Sequence, residues 1–307
     1  MLRSECKKVG FVKHSVVIIT LNRPDCVQEC LAHLNLQSRK PEQVIVVDSS
    51  PDDRTTQVCS GFKTTFSSFL YLRNETGIGR MTTSRNISLP HCTGEIISFI
   101  DDDAYAFPEW ADSVLSTFAD QSVSAVAGHV LGDMSDADLP IGVIDSNGNV
   151  IGNFGKLIEK PIEVEHAMGC NMSFRSSVLV ELKGFRTDYP GISGIREDTD
   201  VFLRLKSLGK KIIFQPKASV RHIGAPQMKG RRFDLTYTYS AARNHTVLLI
   251  RNDGYLKGRI FRYLFRSPLV ILTNVLKQSA SAIAYGAAEA AGNIVGLLVA
   301  AKRSNSE

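Results

Sequence analysis

Three consecutive aspartates, Asp101 to Asp103, directly follow an apolar run at residues 96–100. The run is short and rich in β-branched and aromatic side chains, which is typical of a strand covered on both faces. The aspartates then lie at the carboxyl end of that strand, at the edge of an open α/β sheet where ligands bind. An acidic surface turn is the simpler alternative, because Asp favours turns. Like charges at this spacing raise one another's pKa, however, and a divalent cation with oxygen ligands relieves the repulsion.

A second acidic pair, Glu197 and Asp198, stands at the start of a segment whose apolar residues recur at helical spacing. Carboxylates in a first helical turn can simply complement the helix dipole, and Asp200 fits this interpretation better than the pair does. His222 follows the next predicted strand, and a lone histidine is more often a hydrogen-bonded structural residue than a ligand.

The elements that must position these residues alternate between strands and helices, which predicts an α/β fold. Buried strands are predicted at residues 15–20, 43–50, 69–75 and 95–100, with an amphipathic helix at residues 25–37. Beyond residue 125, the pattern predicts a strand at 123–131, a strand that runs into a helix ending at Gly184, and a helix followed by a strand over 196–216. No repeat or low-complexity linker separates these parts, so we expect two halves of one domain.

Composition and motifs exclude several classes of protein. The chain has 307 residues, of which 43% are hydrophobic, and its net charge of +5 is too small to indicate nucleic acid as a partner. No GxxxxGK[ST] motif is present, which excludes a P-loop. Gly77 and Gly79 do not form a dinucleotide-binding fingerprint, because Thr82 stands where the third glycine belongs. Cys26, Cys30 and His33 fall at metal-ligand spacing on a helix, but buried thiols are common and a fourth ligand is missing.

Seven segments occur in an order that resembles glycosyltransferase family 2 with the GT-A fold. They are "VVIITLNRP", "VVDSS", "NETGIGRMTTSRN", "DDD", "GCNMSFR", "RED" and "VRH", spread over about residues 14–225. The resemblance implies a Rossmann-like mixed sheet flanked by helices over residues 1–230, followed by a helical region at 231–307. Residues 1–125 are then the nucleotide-binding half and residues 126–230 the acceptor half.

The resemblance also implies an activity and a role for each candidate residue. The activity is inverting, metal-dependent transfer of a sugar from a nucleotide-sugar donor to a hydroxyl of a glycan or a lipid-linked acceptor. Asp198 is the expected base, with Glu197 beside it to position the acceptor. Asp103, Asp101 and His222 are the expected ligands of Mg²⁺ or Mn²⁺. The residues expected at the donor are Thr20, Asn22, Arg23, Asp48, Arg85, Asn86 and Asp101.

Two other functions are considered. A sugar-1-phosphate nucleotidyltransferase would need a glycine-rich loop after the first strand, and "TLNRPD" has none. A non-catalytic, membrane-associated module that binds nucleotides or glycans would have no need of Asp198 as a base. We therefore favour the transferase.

The C-terminal region combines basic, aromatic and apolar residues. Between residues 251 and 266, arginines and lysine alternate with Tyr and Phe, which suits a membrane interface. The segments 268–277 and 279–303 are largely apolar, but Glu289 and Asn293 interrupt the second, which makes it a poor spanning helix. We expect two antiparallel helices that pack on the domain or lie on the cytoplasmic leaflet. Because the N-terminus lacks a signal-like apolar core, we expect a cytoplasmic, peripheral protein.

Overall fold

The computed structural model describes residues 12–76, 80–190, 195–224, 235–265 and 280–304. Gly77, Gly79 and the predicted helix at residues 268–277 lie outside this part of the chain, so the predicted antiparallel helix pair is not tested. The described residues contain a large mixed sheet, helices on both sides of it and a helical C-terminal region. The predicted α/β class with a C-terminal helical extension is confirmed.

The sheet combines parallel and antiparallel neighbours. Its strands and those of a separate hairpin are β1 (His14–Thr20), β2 (Gln43–Asp48), β3 (Ser68–Arg73), β4 (Ile96–Asp101), β5 (Ala104–Ala106), β6 (Val123–Leu131), β7 (Val143–Ile144), β8 (Val150–Ile151), β9 (Ile162–Glu163), β10 (Asn171–Arg175) and β11 (Lys211–His222). Within the described residues the order is β3-β2-β1-β4-β10-β6-β11-β5, with β9 also paired to β11 and with β7 and β8 forming the hairpin. Strand β10 is antiparallel to β4 and to β6, so the sheet is mixed.

The helices follow the strands in alternation. They are α1 (Pro24–Asn35), α2 (Arg54–Ser60), α3 (Met81–Ser88), α4 (Trp110–Thr117), α5 (Ser176–Glu181), α6 (Glu197–Ser207), α7 (Leu235–Arg251) and α8 (Asp253–Leu256). A 3₁₀ turn spans Leu89–His91, residues 259–265 are helical, and a C-terminal helix spans Ala280–Ser304. Helix α2 was not predicted, because its sequence RTTQVCS is too polar to show an apolar face.

Strand register brings the candidate residues to one edge of the sheet. Strands β1, β2 and β4 are parallel, and the register pairs Thr20 with Asp48 and Ile19 with Asp101. All residues of β1 and β2 are buried, as is β4 up to its last residue. Continuous apolar runs therefore lie inside the protein, and the polar residues that end them meet at the carboxyl edge.

The chain reverses immediately after β4, and this reversal places His222. Strand β5 begins at Ala104 and pairs antiparallel with the end of β11, so that His222 lies opposite Ala104. The sequence predicted a loop after residue 100, whereas Asp101 is the last residue of β4 and the turn between β4 and β5 contains two residues. Long-range pairing to β11 imposes this turn, and no local pattern reveals it.

The C-terminal helix packs along α7 with one face. Gly292 lies against Tyr239 and Gly296 against Thr246, so the two helices run in the same direction. A side chain at either glycine would collide with the α7 backbone, at 2.4 Å from the Tyr239 carbonyl for Gly292. Asn293 is buried and accepts a hydrogen bond from Thr246 Oγ1 at 2.9 Å. Within the described residues, the stretch Ala284–Ala301 is the one helix apolar and long enough to cross a membrane by length and composition.

Candidate active site

Asp101, Asp103 and His222 form a cluster of metal-ligand type. One ligand atom from each of the three side chains lies within 4.8 Å of the others. Asp103 Oδ1 lies 3.2 Å from His222 Nε2. Burial raises the pKa of Asp101, with Asp103 adding to the rise and Arg85 opposing it. Two carboxylates and an imidazole suit Mn²⁺ well and Mg²⁺ through the carboxylates, so the donor set fits the expected divalent cation.

Asp102, the middle residue of the three, has a different position. Its side chain is fully buried, and Oδ2 accepts a hydrogen bond from Thr20 Oγ1 at 2.6 Å. Oδ1 lies 2.7 Å from Nη2 of Arg23. Burial raises the pKa of Asp102 to about 7, although Arg23 and Thr20 both favour its ionised form. Asp102 therefore links the turn to β1 and to the start of α1. The side chains on either side of it, Asp101 and Asp103, form the cluster with His222.

Arg23 contacts the aspartate turn directly. Its Nη1 lies 3.1 Å from Asp103 Oδ2, so one guanidinium bridges Asp102 and Asp103. The preceding residue, Asn22, adopts a left-handed backbone with φ 57° and donates its N–H to Ser50 Oγ at 2.7 Å. Asn tolerates this conformation better than most residues. The hydrogen bond to Ser50, just after β2, thus fixes the loop that follows β1. This loop places Arg23 against Asp102 and Asp103.

Asp48 lies at the predicted edge, but its carboxylate is already engaged. Oδ1 accepts hydrogen bonds from the N–H and the hydroxyl of Ser50, and Oδ2 accepts one from Tyr71 at 2.8 Å. The residue is fully buried. A contact between Asp48 and a nucleoside stays a prediction, and the structure shows Ser50 and Tyr71 as the side chains that Asp48 orients.

Arg85 and Asn86 are neighbours on α3 with different partners. Arg85 has 2% of its side chain exposed, and its Nη2 lies 3.7 Å from Asp101 Oδ1. Its guanidinium also lies over the Phe185 ring at 5.6 Å, while Nε and Nη1 have no hydrogen-bond partner among the described residues. Asn86 exchanges two hydrogen bonds with the Phe185 backbone, at 2.7 and 2.9 Å. Arg85 therefore supports the metal-ligand cluster, whereas Asn86 fixes the segment after α5.

Glu197 and Asp198 begin helix α6 after Arg196, which has a left-handed backbone with φ 75°. Asp198 accepts hydrogen bonds from the Gly169 N–H at 2.9 Å and from the Thr199 N–H at 2.7 Å. Glu197 is buried, and burial raises its pKa to about 7 against the opposing charge of Arg85. In the part of the chain that the structure describes, one of its carboxylate oxygens, Oε2, has no hydrogen-bond partner.

Gly169 lies between Arg85, which approaches Asp101, and Asp198. A methyl group at this position would lie 3.0 Å from Arg85 Nη2 and 3.3 Å from Asp198 Oδ2. Arg85 also approaches Asp101. A continuous series of neighbouring residues therefore leads from the metal-ligand cluster through Arg85 and Gly169 to Asp198. The sequence did not single out Gly169, and the signal was its place in the "GCNMSFR" segment.

The cysteine and histidine set on α1 has a structural environment. The Cys30 thiol is buried and faces the carbonyl oxygens of Asp101 and Ala104 at 3.8 and 3.7 Å. His33 stacks on Tyr105 with ring centroids 5.3 Å apart. In the described part of the chain, neither Cys26, Cys30 nor His33 belongs to a cluster of metal-ligand type. These side chains pack beneath the aspartate turn.

Comparisons with known proteins identify similar sequences and a similar fold. The model of glycosyl transferase family 2 matches residues 15–183. A glucosyl-dolichyl phosphate glucuronosyltransferase of Haloferax volcanii is 26% identical over 224 residues, which cover 69% of each chain. A GalNAc(5)-diNAcBac-PP-undecaprenol beta-1,3-glucosyltransferase of Campylobacter jejuni is 27% identical over 153 residues, which cover 50% of this chain and 45% of that protein.

A solved structure shows the same fold. It is a mannosyltransferase from Pyrobaculum calidifontis in complex with GDP-Man and Mn²⁺, with a TM-score of 0.57 and 17% sequence identity. The superposition covers 94% of this chain and 87% of the mannosyltransferase. The likeness therefore extends into the C-terminal region and includes nearly all of the other chain.

Proposed function

The chain belongs to glycosyltransferase family 2, and from this premise we propose that it is an inverting, metal-dependent enzyme that moves a sugar from a nucleotide-sugar donor to a hydroxyl group. The observation that carries the proposal is the continuous series from the Asp101, Asp103 and His222 cluster to Asp198. The metal-ligand cluster and the Asp198 carboxylate both lie near one buried arginine, Arg85, and these two kinds of group suit a displacement between a leaving diphosphate and an incoming hydroxyl.

The donor side is the carboxyl edge of β1, β2 and β4. Asp101, Asp103 and His222 would hold Mg²⁺ or Mn²⁺, which supplies Lewis-acid neutralisation of the leaving nucleoside diphosphate when it is bound. Arg23 is 28% exposed and adds a fixed positive charge beside the cluster. Thr20 contributes indirectly, because its hydroxyl holds Asp102.

The acceptor side is the start of α6. Asp198 accepts two backbone hydrogen bonds that fix its carboxylate, and it is the residue that would take the proton from the acceptor hydroxyl. Attack from this side, opposite the leaving diphosphate, inverts the configuration at the sugar carbon. Glu197, buried beside it, is the candidate for a hydrogen bond to another hydroxyl of the acceptor.

The relatives suggest the class of acceptor. Two of them carry names that specify a dolichyl phosphate and an undecaprenyl diphosphate substrate. We propose that this enzyme likewise extends a lipid-linked glycan in glycoconjugate or polysaccharide synthesis. The pool of such acceptors lies at a membrane, which suits a peripheral enzyme on the cytoplasmic face.

The surface of the C-terminal region supports membrane contact in part. Phe261 and Phe265 are 64% and 76% exposed, and Ile294 and Leu298 are exposed on the outer face of the C-terminal helix. Exposed aromatic and apolar side chains of this kind suit the interface of a bilayer.

The basic residues of this region divide into two groups. Arg251 pairs with Asp188 at 3.0 Å, and Arg259 donates to the Ile144 carbonyl at 2.8 Å, so both serve internal contacts. Lys257 and Arg262 are exposed and are the described basic residues that can meet anionic headgroups.

Transfer assays with a panel of nucleotide sugars test the proposal. Purified protein should transfer sugar to a short polyprenyl-linked glycan only when Mn²⁺ or Mg²⁺ is present, and NMR of the product should show the anomeric configuration opposite to that of the donor. Retention of configuration, or equal turnover in excess chelator, would contradict the proposed mechanism.

A further inference from the structure

Helix α7 contacts the chain segment that leads into the base-bearing helix α6. We define this lead-in segment by its described residues, 186–190 and 195–196. Arg243 and Asn244 are consecutive on α7, and each donates to a backbone carbonyl of the segment. Arg243 Nη2 lies 2.7 Å from the Pro190 oxygen, and Asn244 Nδ2 lies 3.1 Å from the Ile195 oxygen. The two bonds are made to the last described residue before positions 191–194 and to the first described residue after them.

The bond from Asn244 lies close to the proposed base in sequence and in space. Ile195 comes directly before Arg196, whose left-handed backbone turns the chain into α6. A non-glycine residue holds this conformation only where its surroundings enforce it. Asn244 is 1% exposed, and Arg243 Nε donates to its Oδ1 at 3.1 Å, so the orientation of the amide is fixed. Asn244 thus secures the residue from which the turn toward Glu197 and Asp198 starts.

Asp200 provides a second connection between the same elements. Its Oδ1 accepts hydrogen bonds from Arg186 at 2.8 Å, from Tyr189 at 3.0 Å and from Asn252 at 3.1 Å. These donors belong to the lead-in segment and to the residue that follows α7. Asp200 is 1% exposed, so this junction is internal. The sequence placed Asp200 as a helix-terminal acid, and the structure adds that it joins α6 to the C-terminal region.

Helix α7 also has contacts outside the lead-in segment. His245 bonds the Gly148 carbonyl at 2.8 Å, and Thr246 bonds Asn293 of the C-terminal helix. Its apolar residues Val247 and Leu248 are fully buried. A helix fixed by other contacts can act as a rigid support for the segment that it touches.

We propose that Arg243 and Asn244 are positioning residues for transfer, through which α7 sets where Asp198 meets the acceptor hydroxyl. The inference rests on the proposed function, since it takes Asp198 as the base. It assigns the C-terminal region a part in the active site itself. The side-chain contacts described for Asp103 and Arg23 are with each other, with Asp102 and with His222, so we expect loss of this support to change the transfer step and to spare binding of the sugar donor.

The test compares neighbouring variants on α7. Asn244→Leu removes the hydrogen-bond donor to Ile195 and keeps the branching of the side chain at Cγ, and Arg243→Met removes the hydrogen-bond donor to Pro190. We expect kcat for transfer to fall on the order of 10- to 100-fold in each, because a displaced catalytic group loses most of its effect. Calorimetric affinity for the nucleoside diphosphate with Mn²⁺ should stay at the parent value. Arg243→Lys, which retains a donor, should recover most of the lost kcat.

Thr246→Val is the matched control. It removes a buried hydrogen bond of the same helix to Asn293 and leaves the bonds from Arg243 and Asn244 to the lead-in segment intact. We expect its melting temperature to fall while kcat at a temperature well below melting stays at the parent value. A kcat loss in Asn244→Leu that is no larger than that in Thr246→Val would overturn the inference. A kcat loss that is accompanied by weakened affinity for the nucleoside diphosphate would overturn it as well.

Two further outcomes separate this inference from the proposed function. If Asp198→Asn is inactive while folded Asn244→Leu and Arg243→Met keep full kcat, the base assignment stands and the positioning role fails. If Asp198→Asn keeps full activity, the proposed function fails first. Should Asn244→Leu not fold, Arg243→Met and Arg243→Lys alone decide the question. The side chain of Arg243 is only partly buried, so we expect both variants to fold.

Discussion

Replacing Gly169 with alanine should reduce turnover more than it reduces stability. The added methyl group would lie 3.0 Å from Arg85 Nη2 and 3.3 Å from Asp198 Oδ2, whereas an unstrained contact needs about 3.5 Å. One of the two charged groups must therefore move by up to about half an ångström. Arg85 is confined by the Phe185 ring, and Asp198 is held by the Gly169 N–H itself, so neither can move without losing a contact.

We expect kcat of Gly169→Ala to fall by about 10-fold or more, because misplacing a catalytic group by 1 Å costs on the order of 100-fold. Overpacking should lower the free energy of unfolding by about 1–3 kcal/mol, measured by denaturant titration. Gly254→Ala is the control, since none of the described residues has an atom within 4 Å of a methyl group added at Gly254. A folded Gly169→Ala enzyme with the parent kcat would refute the view that Arg85 and Asp198 need their observed separation.

Three other changes test the remaining parts of the site. Asp103→Ala should weaken both Mn²⁺ affinity and metal-dependent donor binding, measured by calorimetry, and unchanged metal dependence would refute the ligand role. Burial raises the pKa of Glu197 from its ordinary value to about 7, so the folded state binds this proton more tightly than the unfolded state does. The protonated Glu197 therefore contributes its full stabilisation below about pH 4.5, and this stabilisation is lost as pH rises through 7. Glu197→Gln should therefore flatten the melting temperature between these pH values, and an unaltered profile would contradict the assignment. Lys257→Glu with Arg262→Glu should reduce co-sedimentation with anionic liposomes at low salt, and parent-like binding would remove the membrane role of this surface.

The sequence predicted the parts of the fold that depend on local pattern. The apolar runs of β1, β2 and β4, and the acids that end them, follow from hydrophobic periodicity and from the geometry of parallel strands. Strand β10 was predicted as a strand, but its antiparallel place between β4 and β6 was not, because its partners are distant in sequence. The pairing of β5 with β11 was not predicted either, for the same reason.

The site was predicted to a similar extent. Asp101, Asp103 and His222 were nominated together through the family resemblance, and the structure brings their ligand atoms within 4.8 Å. The direction of Arg23 toward Asp102 was not foreseen, because it depends on the left-handed turn at Asn22 and on a hydrogen bond to another strand. Spacing alone also could not show whether Cys26, Cys30 and His33 face one another or the protein interior.

The contribution of α7 could not be predicted from sequence at all. Arg243 and Asn244 lie in a polar stretch with no motif, and their partners are backbone carbonyl groups that any residue can supply. The same holds for Gly169, whose importance comes from the two charged side chains that approach it.

The most direct test of the central claim is a parallel measurement of turnover and donor affinity in Asp198→Asn. The amide has the shape of the carboxylate but cannot take a proton from the acceptor hydroxyl. The account predicts that calorimetric affinity for the nucleoside diphosphate with Mn²⁺ is retained, while kcat for transfer falls by a factor on the order of 100 to 10,000. Full transfer activity in a folded Asp198→Asn protein would contradict the account.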